Sequence, residues 1–125
     1  MKRSGFIKSK SPLKAKREKL YAKNKAEYIE ELLEEQGLST GIPDCERCGE
    51  RAGVDLHHRS GRSGCLLWHK PLFSWLCREC HTLTPDSVHG DPATAERDGW
   101  TVRVSQSEYQ RIRAEEEIKL YELNT

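Results

Sequence analysis

Two Cys-x-x-Cys pairs, Cys45/Cys48 and Cys77/Cys80, bracket an adjacent histidine pair, His57-His58, and His81 follows the last cysteine directly. The stretch from Cys45 to His89, CERCGERAGVDLHHRSGRSGCLLWHKPLFSWLCRECHTLTPDSVH, holds all five cysteines and all five histidines of the 125-residue chain. Four thiolates in two such pairs make a closed tetrahedral zinc site with no position left for a substrate, so the zinc is expected to be structural. Between Cys48 and Cys77 lie 28 residues. That is more than a minimal zinc ribbon needs, so a substantial element is inserted between the pairs. Cys65, the odd cysteine, reads as a small apolar residue.

The insert carries the histidine pair. Val54 and Leu56 alternate with Asp55 and His57, which predicts a short strand over 52–58. Neighbouring strand residues point to opposite faces, so one imidazole is free to bind a metal while the other faces a substrate. That division suits phosphodiester hydrolysis. A metal stabilises charge on the phosphate and the leaving oxygen, and a neutral imidazole deprotonates water near neutral pH. The plainer alternative makes both histidines surface or zinc-shell residues. Arg59 and Arg62 follow on a loop with Gly61 and Gly64, where they are placed to hold phosphates beside a scissile bond. Their alternative is a solvated loop.

The flanking elements must position this stretch. Residues 1–17 are basic, with Ser, Gly and Pro and no apolar period, and are expected to form a disordered arm. From 18 to 37, Leu20, Tyr21, Tyr28, Leu32 and Leu33 fall on one helical stripe that Gly37 ends. Its basic half precedes its acidic half, against the helix dipole, so packing or phosphate contact must hold it. Residues 38–104 make the zinc-bearing domain. Trp68, Phe73 and Trp75 read as core, and Gly49 supplies the positive φ a knuckle turn needs. Asp91-Pro92 opens a helix to about Asp98, and Trp100 to Val104 reads as a short strand. Ser105 to Glu108 is a capping box. It opens a last helix, within 105–125, whose thin stripe of Tyr109, Ile112, Leu120 and Leu123 packs on the domain or on another chain.

Composition sets the frame. Hydrophobic residues make up 35% and charged residues 33%, so the core is small and a staple is expected. No stretch is apolar enough to cross a membrane, and the N-terminus has no signal-peptide-like segment. A cytoplasmic location, with reduced cysteines, is expected. Net charge is +1, but residues 1–25 carry ten Lys/Arg against one acid, and residues 26–125 carry eleven against nineteen. Either the basic arm meets a polyanion, most simply nucleic acid, or it is a solvated tail. Lys8, Lys10, Lys14, Lys16 and Arg17 are its candidate contacts.

With CERCGERAGVDLHHRSGRSG, LCRECH and, more loosely, VHGDPATAERDGW, the chain resembles the HNH endonucleases, whose active site is a ββα-metal (His-Me finger) element. MKRSGFIKSKSPLKAKREKLYAK is similar to the basic leader of small phage-type members. The resemblance covers about residues 1–100 and implies a small α+β fold. A ββα-metal core would be stapled by a four-cysteine zinc site and flanked by N- and C-terminal helices. It implies that His57 and His81 ligate a catalytic divalent ion, often Mg²⁺ or Mn²⁺, and that His58 is the general base. It implies DNA as substrate, 5′-phosphate and 3′-hydroxyl ends, and phage packaging or recombination proteins as partners. The family's middle Asn, which orients the base, is absent from this stretch, since Asn24 and Asn124 lie outside it. Either His69 replaces it through one ring nitrogen, or His69 is a polar residue in an aromatic loop. A second family ligand would fall about four residues after His81, but His89 is eight residues on, beyond Pro85. His89 is then a ligand only if 82–88 loops back. The competing function is a zinc-ribbon nucleic-acid-binding or adaptor protein with a degenerate active site.

Overall fold

The computed structural model describes residues 12–123. Helix α1 spans Pro12–Glu35. It begins six residues earlier than the composition of the arm predicts. Proline is well suited to a first helical position, where its missing N–H is no loss, so the basic residues 12–17 are helical rather than disordered. Lys8 and Lys10 lie outside the described residues.

The first Cys-x-x-Cys turn is closed by Cys45 N–H to Arg51 O (2.7 Å) and Gly49 N–H to Cys45 O (2.9 Å). Gly49 takes the expected positive φ, 68°. Strand β1 then covers Asp55–His58, shorter than the predicted 52–58. It pairs antiparallel with β2, Phe73–Leu76, in the register Asp55–Leu76, Leu56–Trp75, His57–Ser74 and His58–Phe73. Short 3₁₀ turns at Gly64–Leu67 and Lys70–Leu72 fill the connection. β2 runs into the second Cys-x-x-Cys pair and a π-helical turn, Glu79–Leu83. The short helix α2, Pro92–Arg97, is capped by Asp91, whose side chain accepts from Thr94 N–H. Helix α3, Gln106–Glu122, is capped by Ser105 through Glu108 N–H, the first half of the expected capping box, while the Glu108 carboxylate pairs with Arg111.

The predicted strand at 100–104 does not form. The sheet ends at His58, and Arg59 spends its N–H on Leu72 O. Trp100 and Thr101 turn their N–H groups back to Ala95 O, and the bonds to the end of β1 are Val102 N–H to Arg59 O and the Ser60 hydroxyl to Val102 O.

Apolar residues bury into two clusters. Leu20, Cys65, Leu66, Trp68, Ile112 and Leu120 join α1, the first 3₁₀ turn and α3. The last helix therefore packs on its own domain. Cys45, Leu76, Cys77, Cys80, Val88 and Ala95 surround the paired cysteines. Trp68, Phe73 and Trp75 are all buried, as core residues should be. α1, whose charge order opposes its dipole, is held by side-chain bonds. Tyr28 donates to Glu46, Lys70 pairs with Glu27 and Glu31, and Gln36 bonds the Asp44 backbone in both directions. No helix among the described residues is long and apolar enough to cross a membrane.

Candidate functional site

The sheet sets two groups of ligands side by side. The sulfurs of Cys45, Cys48, Cys77 and Cys80 all lie within 4.8 Å of one another, with Cys48 and Cys77 at 3.9 Å. Four thiolates at about 2.3 Å from a tetrahedral zinc sit roughly 3.8 Å apart, so the cluster fits a structural ion. Glu50 N–H on its sulfur is the first cause holding the Cys48 thiol down to about 6. The Arg51 guanidinium also reaches the Cys48 and Cys77 sulfurs, at 3.7 and 3.9 Å. Burial and the neighbouring thiols push Cys80 up to about 12. Thiolates this close repel unless a cation sits among them; a zinc ion held by the four sulfurs would offset that repulsion with its own charge and keep all four deprotonated.

The second group is His57, His81 and His89, whose ligand nitrogens also lie within 4.8 Å of one another. The His57 and His81 rings are each oriented by a bond on the far side. His57 Nε2 is 2.7 Å from Trp100 O; a carbonyl only accepts, so Nε2 carries the hydrogen and Nδ1 keeps its lone pair. His81 Nδ1 donates to Asp55 Oδ2 at 3.0 Å, which leaves Nε2 as the ligand atom. His81 Nε2 and His89 Nε2 are 3.1 Å apart. Ligand nitrogens about 2.1 Å from one ion sit roughly 3.0–3.4 Å apart, so the pair is spaced for a shared cation. A carboxylate behind a ligating imidazole is the usual way of fixing its tautomer and direction.

His89 reaches this position despite the eight-residue interval. The π-helical turn widens the backbone after Cys80. The chain then folds back through Val88 N–H to Cys80 O (2.8 Å) and His89 N–H to His81 O (3.1 Å). Gly90 closes the return. A Cβ there would lie 2.6 Å from Thr84 O and 2.8 Å from Pro85 O, so backbone passes where any side chain would sit.

Burial is the main cause that pulls His57 down to about 4, with the Trp100 carbonyl opposing and the neighbouring histidines adding. Burial also lowers His89, helped by His81. Neutral imidazoles are what a metal requires. Burial would raise Asp55, but its bonds from His81 and Arg78 outweigh it and the carboxyl is lowered.

His58 points to the opposite face of β1, as alternation demands. Its ring packs on Tyr21 and Phe73, with centroids at 5.5 and 5.3 Å, and the residue is 8% exposed. Nε2 donates to Leu67 O at 3.0 Å, so Nδ1 is the basic nitrogen. Burial lowers its pKa; the Leu67 bond opposes this, and Arg62 and Lys25 add to the lowering.

Two expectations are corrected here. His69 makes no bond to His58; its Nδ1 donates to the buried Glu116 Oε2 at 2.5 Å. Arg59 is not a free phosphate ligand on a flexible loop. Its Nε bonds Ser74 Oγ at 2.5 Å and its guanidinium lies 5.4 Å from the Trp100 ring centre, so it ties the sheet to the loop after α2. Arg62 does face outward, 5.7 Å from the Tyr21 ring centre. With Lys14 and Arg17 of α1, and with Glu18 on its wall, it lines a groove of about 460 Å³. Lys16 lies on the same helix outside that lining.

The sequence places Asp55 on the His57 face of the strand by its i, i+2 relation, but leaves it out of the site; its bond to His81 comes from the fold. The carbonyls of Trp100 and Leu67 leave no trace in side-chain types. Glu116 had a signal, a charge between Ile112 and Leu120 on the helix's own apolar stripe. Comparison with protein-family models, curated proteins and solved structures finds no match.

Proposed function

We propose that the chain is an HNH-type endonuclease that hydrolyses DNA phosphodiester bonds with a divalent ion. The observation that carries this reading is the split of the histidine pair. His57 joins His81 and His89 in a three-nitrogen cluster, while His58 turns away with one nitrogen pinned and the other basic. His57 Nδ1, His81 Nε2 and His89 Nε2 would hold the ion. A divalent ion there supplies charge stabilisation to the phosphate and to the departing 3′ oxygen. His58 Nδ1 takes the proton of the attacking water, leaving a 5′-phosphate and a 3′-hydroxyl. Lys14, Arg17 and Arg62 bind flanking phosphates. An all-imidazole triad suits transition ions such as Zn²⁺, Ni²⁺ or Fe²⁺ better than Mg²⁺ or Mn²⁺, which favour oxygen ligands. A phage setting, with packaging or recombination proteins as partners, belongs to the same reading.

A second reading, a nucleic-acid-binding zinc module with a degenerate site, is favoured by one observation. His58 is 8% exposed and roofed by Tyr21, which restricts the approach of a substrate to its base nitrogen. Supercoiled plasmid incubated with a series of divalent ions separates the two. The nuclease reading expects metal-dependent nicking that His57→Ala abolishes. Plasmid left intact with every ion, while still bound by the protein, selects the binding module.

A further inference from the structure

The imidazole of His58 takes its direction from a backbone carbonyl, Leu67 O. That carbonyl belongs to the last residue of the first 3₁₀ turn, Gly64–Leu67, outside the sheet, so no strand register fixes it. Two buried side chains from different helices bond the residues that follow it. Asn24 of α1 donates from Nδ2 to Trp68 O at 2.7 Å. Glu116 of α3 accepts from His69 Nδ1 at 2.5 Å. The two bonds fall on the two residues directly after Leu67.

We propose that Asn24 and Glu116 are positioning residues for the His58 imidazole, clamping Leu67–His69 from opposite helices so that Nε2 stays protonated and Nδ1 stays basic. This rests on the nuclease reading for its catalytic meaning, but not for its geometry. Asn24 is 8% and Glu116 1% exposed, and both adjoin the cluster of Leu20, Leu66, Trp68, Ile112 and Leu120. An apolar side chain would satisfy that cluster at no desolvation cost, whereas a buried amide and carboxylate are costly unless bonded. Glu116 Oε1 has no hydrogen-bond partner among the described residues. The carboxylate's return therefore comes through Oε2, from His69 and, at 3.5 Å, from Lys119.

The test uses the full zinc-loaded chain with isotope-labelled histidine, read at neutral pH by long-range proton–nitrogen correlation of the imidazoles. The unmutated protein should show His58 as a single Nε2–H tautomer. In Asn24→Leu and in Glu116→Leu, the His58 nitrogen shifts should move toward each other as two tautomers exchange. His57, pinned by Trp100 O on the other face of the strand, should keep its shifts. Glu116→Gln should restore the His58 tautomer, because the amide oxygen still accepts from His69 Nδ1–H. An Nδ1–H tautomer in the unmutated protein overturns the proposal, and that measurement needs no variant to fold. A His58 tautomer unchanged in both Leu variants overturns it as well. So does an equal disturbance of His57, which marks a purely structural role. Nicking assays on the same samples keep the two readings apart. An inactive unmutated protein with the expected tautomers defeats the nuclease reading alone. An active protein whose Leu variants keep both tautomer and turnover defeats the clamp alone.

Discussion

Asp55 holds the His81 ring through Nδ1 and is itself held by Arg78, with Nε at 2.9 Å from Oδ2. A ligand so backed is both aimed and made more basic. Asp55→Asn should weaken ion binding at the histidine triad by roughly 10–100-fold while the four-cysteine cluster keeps its zinc. Competition titration with a metal indicator checks this; equal losses at both sites would refute it. Glu116 gives a prediction in pH. Burial pushes its carboxyl up, but the His69 bond and Lys119 outweigh burial, and the net shift is below the ordinary 4.5. Above that value the folded and unfolded chains both carry the charge and the stabilisation is fully present. As pH falls below 4.5, the unfolded chain takes up the proton first and the stabilisation is lost. The difference in melting temperature between the unmutated protein and Glu116→Gln should therefore narrow as pH drops below 4.5. At this scale the sequence was legible wherever chemistry lay in side chains. Cysteine spacing and the His57-His58 alternation needed no structure, whereas the orienting groups Trp100 O and Leu67 O are backbone atoms supplied by chain segments distant in sequence.

The elements that position the histidines differ in how openly they announce themselves. α2 and α3 open on Asp91 and Ser105, whose caps form as the residue types require. β1 follows from alternation. The segment 100–104 alternates too, yet pairing needs a free partner edge, and the neighbouring chain offers one carbonyl, Arg59 O. The return of His89 depended on a π-helical turn and on a backbone crossing at Gly90, neither of which has a helical or strand period. That crossing is testable. Gly90→Ala would place a Cβ against two carbonyl oxygens. Relief of such a clash costs about 1–3 kcal/mol, and every 1.4 kcal/mol charged to the triad is about tenfold in affinity. The variant should lose triad metal affinity by roughly 5- to 100-fold and retain zinc in the cysteine cluster. Unchanged affinity at the triad would show that the loop closes without glycine.

Over the described residues, apolar side chains form two small clusters, one between α1 and α3 and one built on the cysteines and Leu76 of β2. A core this divided depends on its clamp. Chelation should release about one zinc per chain from the cysteine cluster and unfold the β1–β2 unit, seen as loss of the histidine imidazole resonances' dispersion. The α1–α3 cluster is joined to that unit through Tyr28, which bonds Glu46 and the Phe73 carbonyl of β2, so it should loosen with it. Charge is divided as well, with ten Lys/Arg in residues 1–25. DNA affinity should accordingly fall steeply with salt. Removing Lys14, Arg17 or Arg62 should each reduce the slope of log K against log salt by about one; an unaltered slope would place the DNA elsewhere. The central claim joins both faces of β1, with metal on His57 and base on His58. Its most direct measurement is the single-turnover nicking rate of His58→Ala against the unmutated protein at saturating divalent ion. The account predicts a fall of roughly 10²–10⁴-fold with DNA affinity and triad metal content unchanged. Equal rates for the two proteins would contradict it.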